Sequence, residues 1–184
     1  MGLLTIIKKQ KQKDKEIRVL ALGLDNAGKT TIIKRMLKLD VESVSPTMGF
    51  QINTVPYMGH LLNIWDIGGQ TTLRAFWGNY FDKTEIVIWV IDGLSMERLN
   101  ESFLELKEKI ILQDRLVGIY LLVAINKVDL VPQEELPLLK QNVAKILKLD
   151  EYLPDENHWH IELVSGKTGI GIENVLNWIV SRDY

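Results

Sequence analysis

The sequence predicts an α/β fold: a six-stranded, mostly parallel sheet with helices on both faces, one antiparallel edge hairpin, and an N-terminal amphipathic helix. Three observations carry this. Apolar runs of strand length recur at residues 17–22, 50–56, 60–65, 86–91, 119–125 and 160–164, and helix-spaced patterns separate most of them. Residues Gly23-Leu24-Asp25-Asn26-Ala27-Gly28-Lys29-Thr30 form a complete GxxxxGK[ST] phosphate-binding loop between the first run and an amphipathic helix. The second and third runs meet across Tyr57-Met58-Gly59-His60, which leaves no room for a crossover helix, so they pair as a hairpin.

At the N-terminus, Leu3, Leu4, Ile6 and Ile7 precede Lys8, Lys9, Lys11, Lys13 and Lys15. This reads as an amphipathic helix beginning near residue 2 and passing into a polar linker around residues 10–16, ahead of a domain spanning 17–184. After the first strand, Gly23 and Gly28 let the backbone curl so that successive N–H groups converge on an anion, and the helix dipole adds to the attraction. Lys29 is then placed for the terminal phosphates and Thr30 for Mg²⁺. Thr47, in Ser45-Pro46-Thr47-Met48-Gly49-Phe50, lies where a second Mg²⁺ ligand is needed; a simple turn threonine after proline is the alternative.

The hairpin's second strand runs into Trp65-Asp66-Ile67-Gly68-Gly69-Gln70. Asp66 would hold Mg²⁺ through water, the Gly69 N–H would reach the terminal phosphate, and Gln70 would orient an attacking water. A solvated loop glutamine is the alternative for Gln70. Met96, Leu99, Phe103, Leu106 and Ile110 then put one apolar stripe on one helix face, and Ile172, Val175, Leu176 and Ile179 repeat the pattern. Both stripes are core. Between them, Asn126-Lys127-Val128-Asp129 follows the strand ending at Ile125, on the side of a parallel sheet where ligands bind. A carboxylate at Asp129 accepts two hydrogen bonds from the N1–H and N2–H₂ edge that guanine has and adenine lacks. Asn126 would tether the loop and touch the base, and Lys127 would lie along its face.

With 22 basic against 24 acidic residues the net charge is -2, which lacks the electrostatic footprint of a nucleic-acid binder. The chain has no cysteine, so disulfides, thiolate metal sites, a thiol nucleophile, palmitoylation and C-terminal prenylation are excluded together. No apolar run approaches the roughly 20 residues needed to span a bilayer. A cytoplasmic protein is expected.

In order, GLDNAGKT, SPTMGF, WDIGGQ, NKVD and Ser165-Gly166-Lys167 resemble the small GTPases, and within them the Arf and Arf-like family. WDxGGQ, PTxGF and the helical extension point to the Arf-like branch, and the opening Met-Gly-Leu-Leu-Thr-Ile before lysines looks most like the members associated with tubulin-folding cofactors. The resemblance implies a P-loop small-GTPase fold and a molecular switch that binds GTP/GDP with Mg²⁺ and hydrolyses GTP slowly until an activator assists. It places nucleotide contacts at Gly23, Asp25, Asn26, Ala27, Gly28, Lys29, Thr30, Thr31, Thr47, Asp66, Gly69, Asn126, Lys127, Asp129, Ser165, Gly166 and Lys167, with Gln70 catalytic and Thr30, Thr47 and Asp66 around the metal. Phe50, Trp65 and Tyr80 match the family's effector-reading aromatic triad; ordinary core packing is the alternative for the last two.

The implied partners are effector proteins, a GTPase-activating protein and tubulin-folding cofactors, with a microtubule-associated location. A monomer is expected, with no nucleic acid and at most weak peripheral membrane contact. Two other functions stay open: a nucleotide-gated binding module with negligible hydrolysis, and an Arf-like trafficking regulator. Four departures stand out. Asp25 occupies a position that is glycine in many other GTPases, where a carboxylate beside the γ-phosphate hinders water. Gly166 replaces the family's usual alanine, which should loosen its loop. Gly78 replaces a commonly basic residue, and Asp92-Gly93-Leu94-Ser95 departs from the family sequence there. Gly2 invites myristoylation, but Ile6 stands where that pattern wants Ser or Thr, so an unmodified N-terminus whose apolar face docks on the protein or on a partner is expected.

Overall fold

A computed structural model describes residues 2–6 and 16–184. All six apolar runs become strands: β1 (Glu16–Gly23), β2 (Phe50–Tyr57), β3 (His60–Ile67), β4 (Ile86–Asp92), β5 (Tyr120–Asn126) and β6 (Trp159–Leu163). They lie side by side in the order β2-β3-β1-β4-β5-β6. Only β2 and β3 are antiparallel, in the register Phe50↔Ile67 to Tyr57↔His60; the remaining neighbours are parallel. Met58 (φ 45) and Gly59 (φ 77) form the two-residue turn, both left-handed as a hairpin of this twist requires. Pro56 is tolerated because β2 is the sheet's edge.

Strict alternation along the central strands divides the core in two. Val87, Trp89 and Ile91 of β4 face one layer, while Ile86, Ile88 and Val90 face the other. Strands buried on both faces therefore read as continuous apolar runs. The first layer is completed by α3 (Leu99–Leu106) and α4 (Leu136–Leu147), through Leu99, Leu106, Leu139, Val143 and Leu147. On the second, α1 (Lys29–Met36) and the C-terminal helix Ile172–Val180 contribute Ile32, Ile33, Met36, Ile172, Val175, Leu176 and Ile179.

The Met96–Ile110 stripe is core only in part. Met96 begins a 3₁₀ turn (Met96–Arg98) and is 39% exposed, whereas Leu106 and Ile110 are fully buried. The helix does not stay regular through the stripe: Lys107–Ile111 form a π turn, a register change that keeps Ile110 in the core. At the N-terminus, residues 3–6 are helical. Leu3, Leu4 and Ile6 are 73%, 77% and 51% exposed, so of the two expected targets for this apolar face the domain does not cover it in this conformation. Ile7, the five lysines and most of the expected linker lie outside the described residues, and β1 begins at Glu16. Among the described residues no helix is long and apolar enough to cross a membrane.

Candidate nucleotide-binding site

The loop from Gly23 to Gly28 leaves β1 at the C-terminal edge of the sheet and turns into α1. Gly28 has φ 93, and a Cβ there would stand 2.2 Å from the Asn126 Nδ2. A Cβ on Gly69 would stand 2.4 Å from the Gly23 carbonyl oxygen and 2.6 Å from the Asp25 nitrogen. Backbone packs against backbone here, and only glycine allows it. Lys29 is buried, with Nζ donating to the Gly23 and Leu24 carbonyls at 3.0 and 3.2 Å. Burial pushes its ammonium down to about 8, against the pull of Asp66 and Asp25. Lys29, Thr30, Thr31, Thr47, Gly69 and Gln70 help line one cleft of about 390 Å³, within the range of a small-ligand site.

Beside Lys29, three oxygens converge from three segments. Thr30 Oγ1 donates to Asp66 Oδ2 at 2.6 Å, Thr47 Oγ1 donates to the same oxygen at 3.3 Å, and the two hydroxyls are 2.8 Å apart. Asp66 is fully buried, its Oδ1 has no hydrogen-bond partner, and burial raises its carboxyl above the ordinary range. A hard oxygen cluster with one unsatisfied carboxylate oxygen fits Mg²⁺, which takes one or two carboxylates and completes its shell with water and substrate phosphate. Among the described residues no group of three or more His, Asp or Glu side chains competes with it for a metal.

Gln70 caps the short helix α2 (Thr71–Arg74). Its Oε1 is also buried without a partner. The point a Gly68 Cβ would occupy lies 2.4 Å from Leu73 Cδ1 and 2.7 Å from both that oxygen and the Thr47 carbonyl, so glycine here lets all three groups close together. The Gly68 N–H donates to the Gly49 carbonyl at 2.9 Å, and Trp77 Nε1, deep in the core, donates to the Gly68 carbonyl at 3.2 Å. These bonds hold the Thr47 and Gln70 segments together over the cleft.

At the end of β5, Asn126 Nδ2 donates to the Ala27 carbonyl at 2.9 Å while its Oδ1 accepts from the Gly166 N–H at 3.0 Å. One amide thus joins three loops. Ser165 Oγ donates to Asp129 Oδ1 at 2.7 Å, which orients the carboxylate. Lys127, held at φ 67, donates from Nζ to the Asn26 carbonyl and to Asp92, both at 2.7 Å. Asp92, read from sequence only as part of a departure, is therefore the residue that anchors Lys127. Gly166 does not loosen its loop: its carbonyl accepts from Arg35 Nε at 3.0 Å, the Lys167 carbonyl accepts from the same guanidinium, and a Cβ at 166 would stand 2.9 Å from the Ile32 nitrogen.

Phe50, Trp65 and Tyr80 come together with ring centroids 5.7, 5.7 and 6.2 Å apart. Trp65 and Tyr80 pack on the core, as the alternative for these two expects, while Phe50 is 48% exposed. The basic group missing at Gly78 arrives from elsewhere, for a Cβ there would stand 2.9 Å from Nη2 of Arg115. Sequence reasoning missed one cluster entirely. Arg74 and Arg98 both hold Asp25 and both pair with Glu101, and only the Arg98–Glu101 spacing on adjoining helical turns signalled any of it.

Compared with known proteins, the chain matches the ADP-ribosylation factor family over residues 3–182. It is 45% identical to ADP-ribosylation factor-like protein 2 of Dictyostelium discoideum, over 98% of this chain and 94% of that protein. It is 47% identical to the ADP-ribosylation factor-like protein alp41 of Schizosaccharomyces pombe, with the same coverage. Among solved structures it resembles the Arl6 (BBS3) small GTPase of Trypanosoma brucei with bound GppNp, at a TM-score of 0.71 and 26% identity over 90% of this chain and 95% of that one.

The Gly28–Asn126 contact is directly testable. Gly28→Ala forces a side chain onto the amide and an alanine into left-handed backbone, so unfolding in urea should show a loss of about 1–3 kcal/mol. Nucleotide binding should weaken more than stability does, because the displaced amide also releases Ala27 and Gly166.

Proposed function

The chain belongs to the ADP-ribosylation factor family and is a GTP-binding switch protein, and we propose that it works as an Arf-like GTPase whose hydrolysis depends on an activator. The observation that carries this reading is the Asn126 amide, which fixes a base-reading loop to a phosphate-reading loop. In the proposed complex the loop N–H groups and Lys29 hold the phosphates of GTP, and Asp129, oriented by Ser165, pairs with the guanine edge. Thr30, Thr47 and, through water, Asp66 hold Mg²⁺, which when bound supplies charge neutralisation at the β- and γ-phosphates.

Hydrolysis is proposed to rest on positioning. Gln70 Oε1 and the Thr47 carbonyl accept hydrogen bonds from one water, orienting its lone pair toward the γ-phosphate. Both segments depend on the γ-phosphate and metal for their order, so its loss releases them, and the Phe50, Trp65 and Tyr80 surface changes with them. The N-terminal helix is proposed to dock in the GDP state; exposure of Leu3, Leu4 and Ile6 beside a closed Thr47 segment supports that assignment. Tubulin-folding cofactors are the proposed partners, with a microtubule-associated role, on the resemblance of the opening Met-Gly-Leu-Leu-Thr-Ile before lysines to the Arf-like members associated with them.

Three variants and one exchange measurement test the reading. Asp129→Asn should weaken GTP binding and favour xanthosine triphosphate, whose C2 carbonyl accepts from the new amide, while the wild type binds GTP far more tightly than ATP; equal wild-type affinity for ATP and GTP would remove it. Gln70→Leu should keep nucleotide affinity and lower activator-stimulated single-turnover hydrolysis by about a hundredfold or more. Deleting residues 1–15 should raise the ratio of GTP to GDP affinity, because burial at about 25 cal/mol per Å² of apolar area stabilises the GDP form. Amide exchange in residues 2–6 should correspondingly be faster with GTP than with GDP.

A further inference from the structure

Arg74 ends α2, four residues beyond Gln70, and is only 3% exposed. A buried guanidinium is costly unless every face of its fork is matched, and here each face meets a different segment. Nε donates to the Gly69 carbonyl at 2.9 Å, Nη1 to Glu101 Oε1 on α3 at 2.8 Å, and Nη2 to Asp25 Oδ1 in the phosphate loop at 3.1 Å. Glu105 adds a carboxylate 3.5 Å from Nη1. Arg98 closes the circuit, with Nη2 on Asp25 Oδ1 at 2.9 Å, Nη1 on the Asp25 carbonyl at 2.9 Å and Nε on Glu101 Oε2 at 3.1 Å. The Asp25 N–H also donates to the Gly69 carbonyl at 3.1 Å. That carbonyl belongs to the peptide leading into Gln70, so the orientation of Gln70 is clamped from both sides.

Neither arginine lines the cleft, but Asp25 does. Its carboxylate stands among the loop groups that would cradle phosphate, where a free negative charge opposes a substrate anion. Two guanidiniums hold it instead, and the Arg98 hydrogen bond above all, against desolvation and with the charges of Arg98 and Arg74 adding to it, keeps Asp25 below the ordinary carboxylate range. The charge at this position is thus tied to the backbone that carries Gln70.

We infer that Arg74 is a positioning residue for hydrolysis: one guanidinium sets the Gly69–Gln70 peptide against the phosphate loop and offsets the Asp25 charge that would repel the γ-phosphate. This rests on the GTPase reading. It explains why Asp25 need not obstruct the water: the carboxylate is turned to Arg74 and Arg98. It also distinguishes the two nucleotides. GDP lacks the phosphate that meets the Gly69 segment, so loss of Arg74 falls on the GTP state, whereas loss of a merely structural contact falls on both.

The test uses the full chain, with affinities for GDP and a non-hydrolysable GTP analogue measured beside single-turnover GTP hydrolysis. Arg74→Met should leave GDP affinity within about twofold and weaken the analogue about tenfold. Hydrolysis should slow by about 10- to 100-fold, the cost of a misplaced water-orienting group. Adding Asp25→Asn to Arg74→Met should recover analogue affinity but not rate, and Arg74→Lys, which keeps the charge and loses the fork, should do the same. Glu101→Gln, a change at a half-exposed carboxylate, loosens the same guanidinium without burying a new group and should reproduce the selective loss even if Arg74→Met fails to fold. Equal weakening of GDP and analogue, or strict additivity of Arg74→Met and Asp25→Asn, would overturn the inference. Failure of the GTPase reading looks different: it appears in the wild type as equal ATP and GTP affinity, or in Gln70→Leu as an unchanged rate.

Discussion

One side-chain amide organises the nucleotide end of this molecule. Asn126 stands at the tip of a strand buried from Leu121 onward and donates to the Ala27 loop while accepting from the Gly166 loop, so the distance between those two loops is set by the reach of a single residue. Its seat exists because residue 28 has no side chain; a Cβ would lie inside the amide's contact distance. The fold supplies the rest. Parallel strands with two buried faces bring the ends of β1, β3 and β5 to one edge, where residues from distant parts of the chain become neighbours.

On that frame the site separates rigid from conditional parts. The base end is held by bonds internal to the protein: Ser165 to Asp129, Lys127 to Asp92 and Asn26, Arg35 to the Gly166 carbonyl. At the phosphate end, by contrast, two buried oxygens, Asp66 Oδ1 and Gln70 Oε1, lack protein partners. Unsatisfied buried oxygens cost free energy that a metal ion or an ordered water can recover. A switch needs this asymmetry. What holds the nucleotide should not depend on the γ-phosphate, and what reports it should.

Much of this was legible along the chain. Strand positions came out within one or two residues, for β1, β4 and β5 because a strand buried on both faces must be apolar nearly throughout, and the turn at Met58-Gly59 followed from the absence of space for a helix. The phosphate loop, the Asp66 and Gln70 segment and the Asn126 loop were legible because each is a run of consecutive residues with a recognisable pattern. The helical stripe was legible only as a stripe. The π turn that keeps Ile110 buried leaves no mark in residue spacing, and Gly166 loosens nothing because Arg35, far off in sequence, holds its loop.

By itself, then, the sequence determined the order of the elements, the two-layer core and which short contiguous motifs meet at one end of the sheet. Tertiary structure alone decided what surrounds the charges. Asp25 reads in sequence as an obstacle to hydrolysis, and becomes instead the acceptor of two arginines, one from α2 and one from the turn before α3. Arg115 fills the gap at Gly78 in the same manner. The reason is physical: a hydrogen-bonded motif is local and leaves a pattern, whereas the partner of a charge is whichever long side chain the fold delivers within about 3 Å, and spacing along the chain carries no record of that.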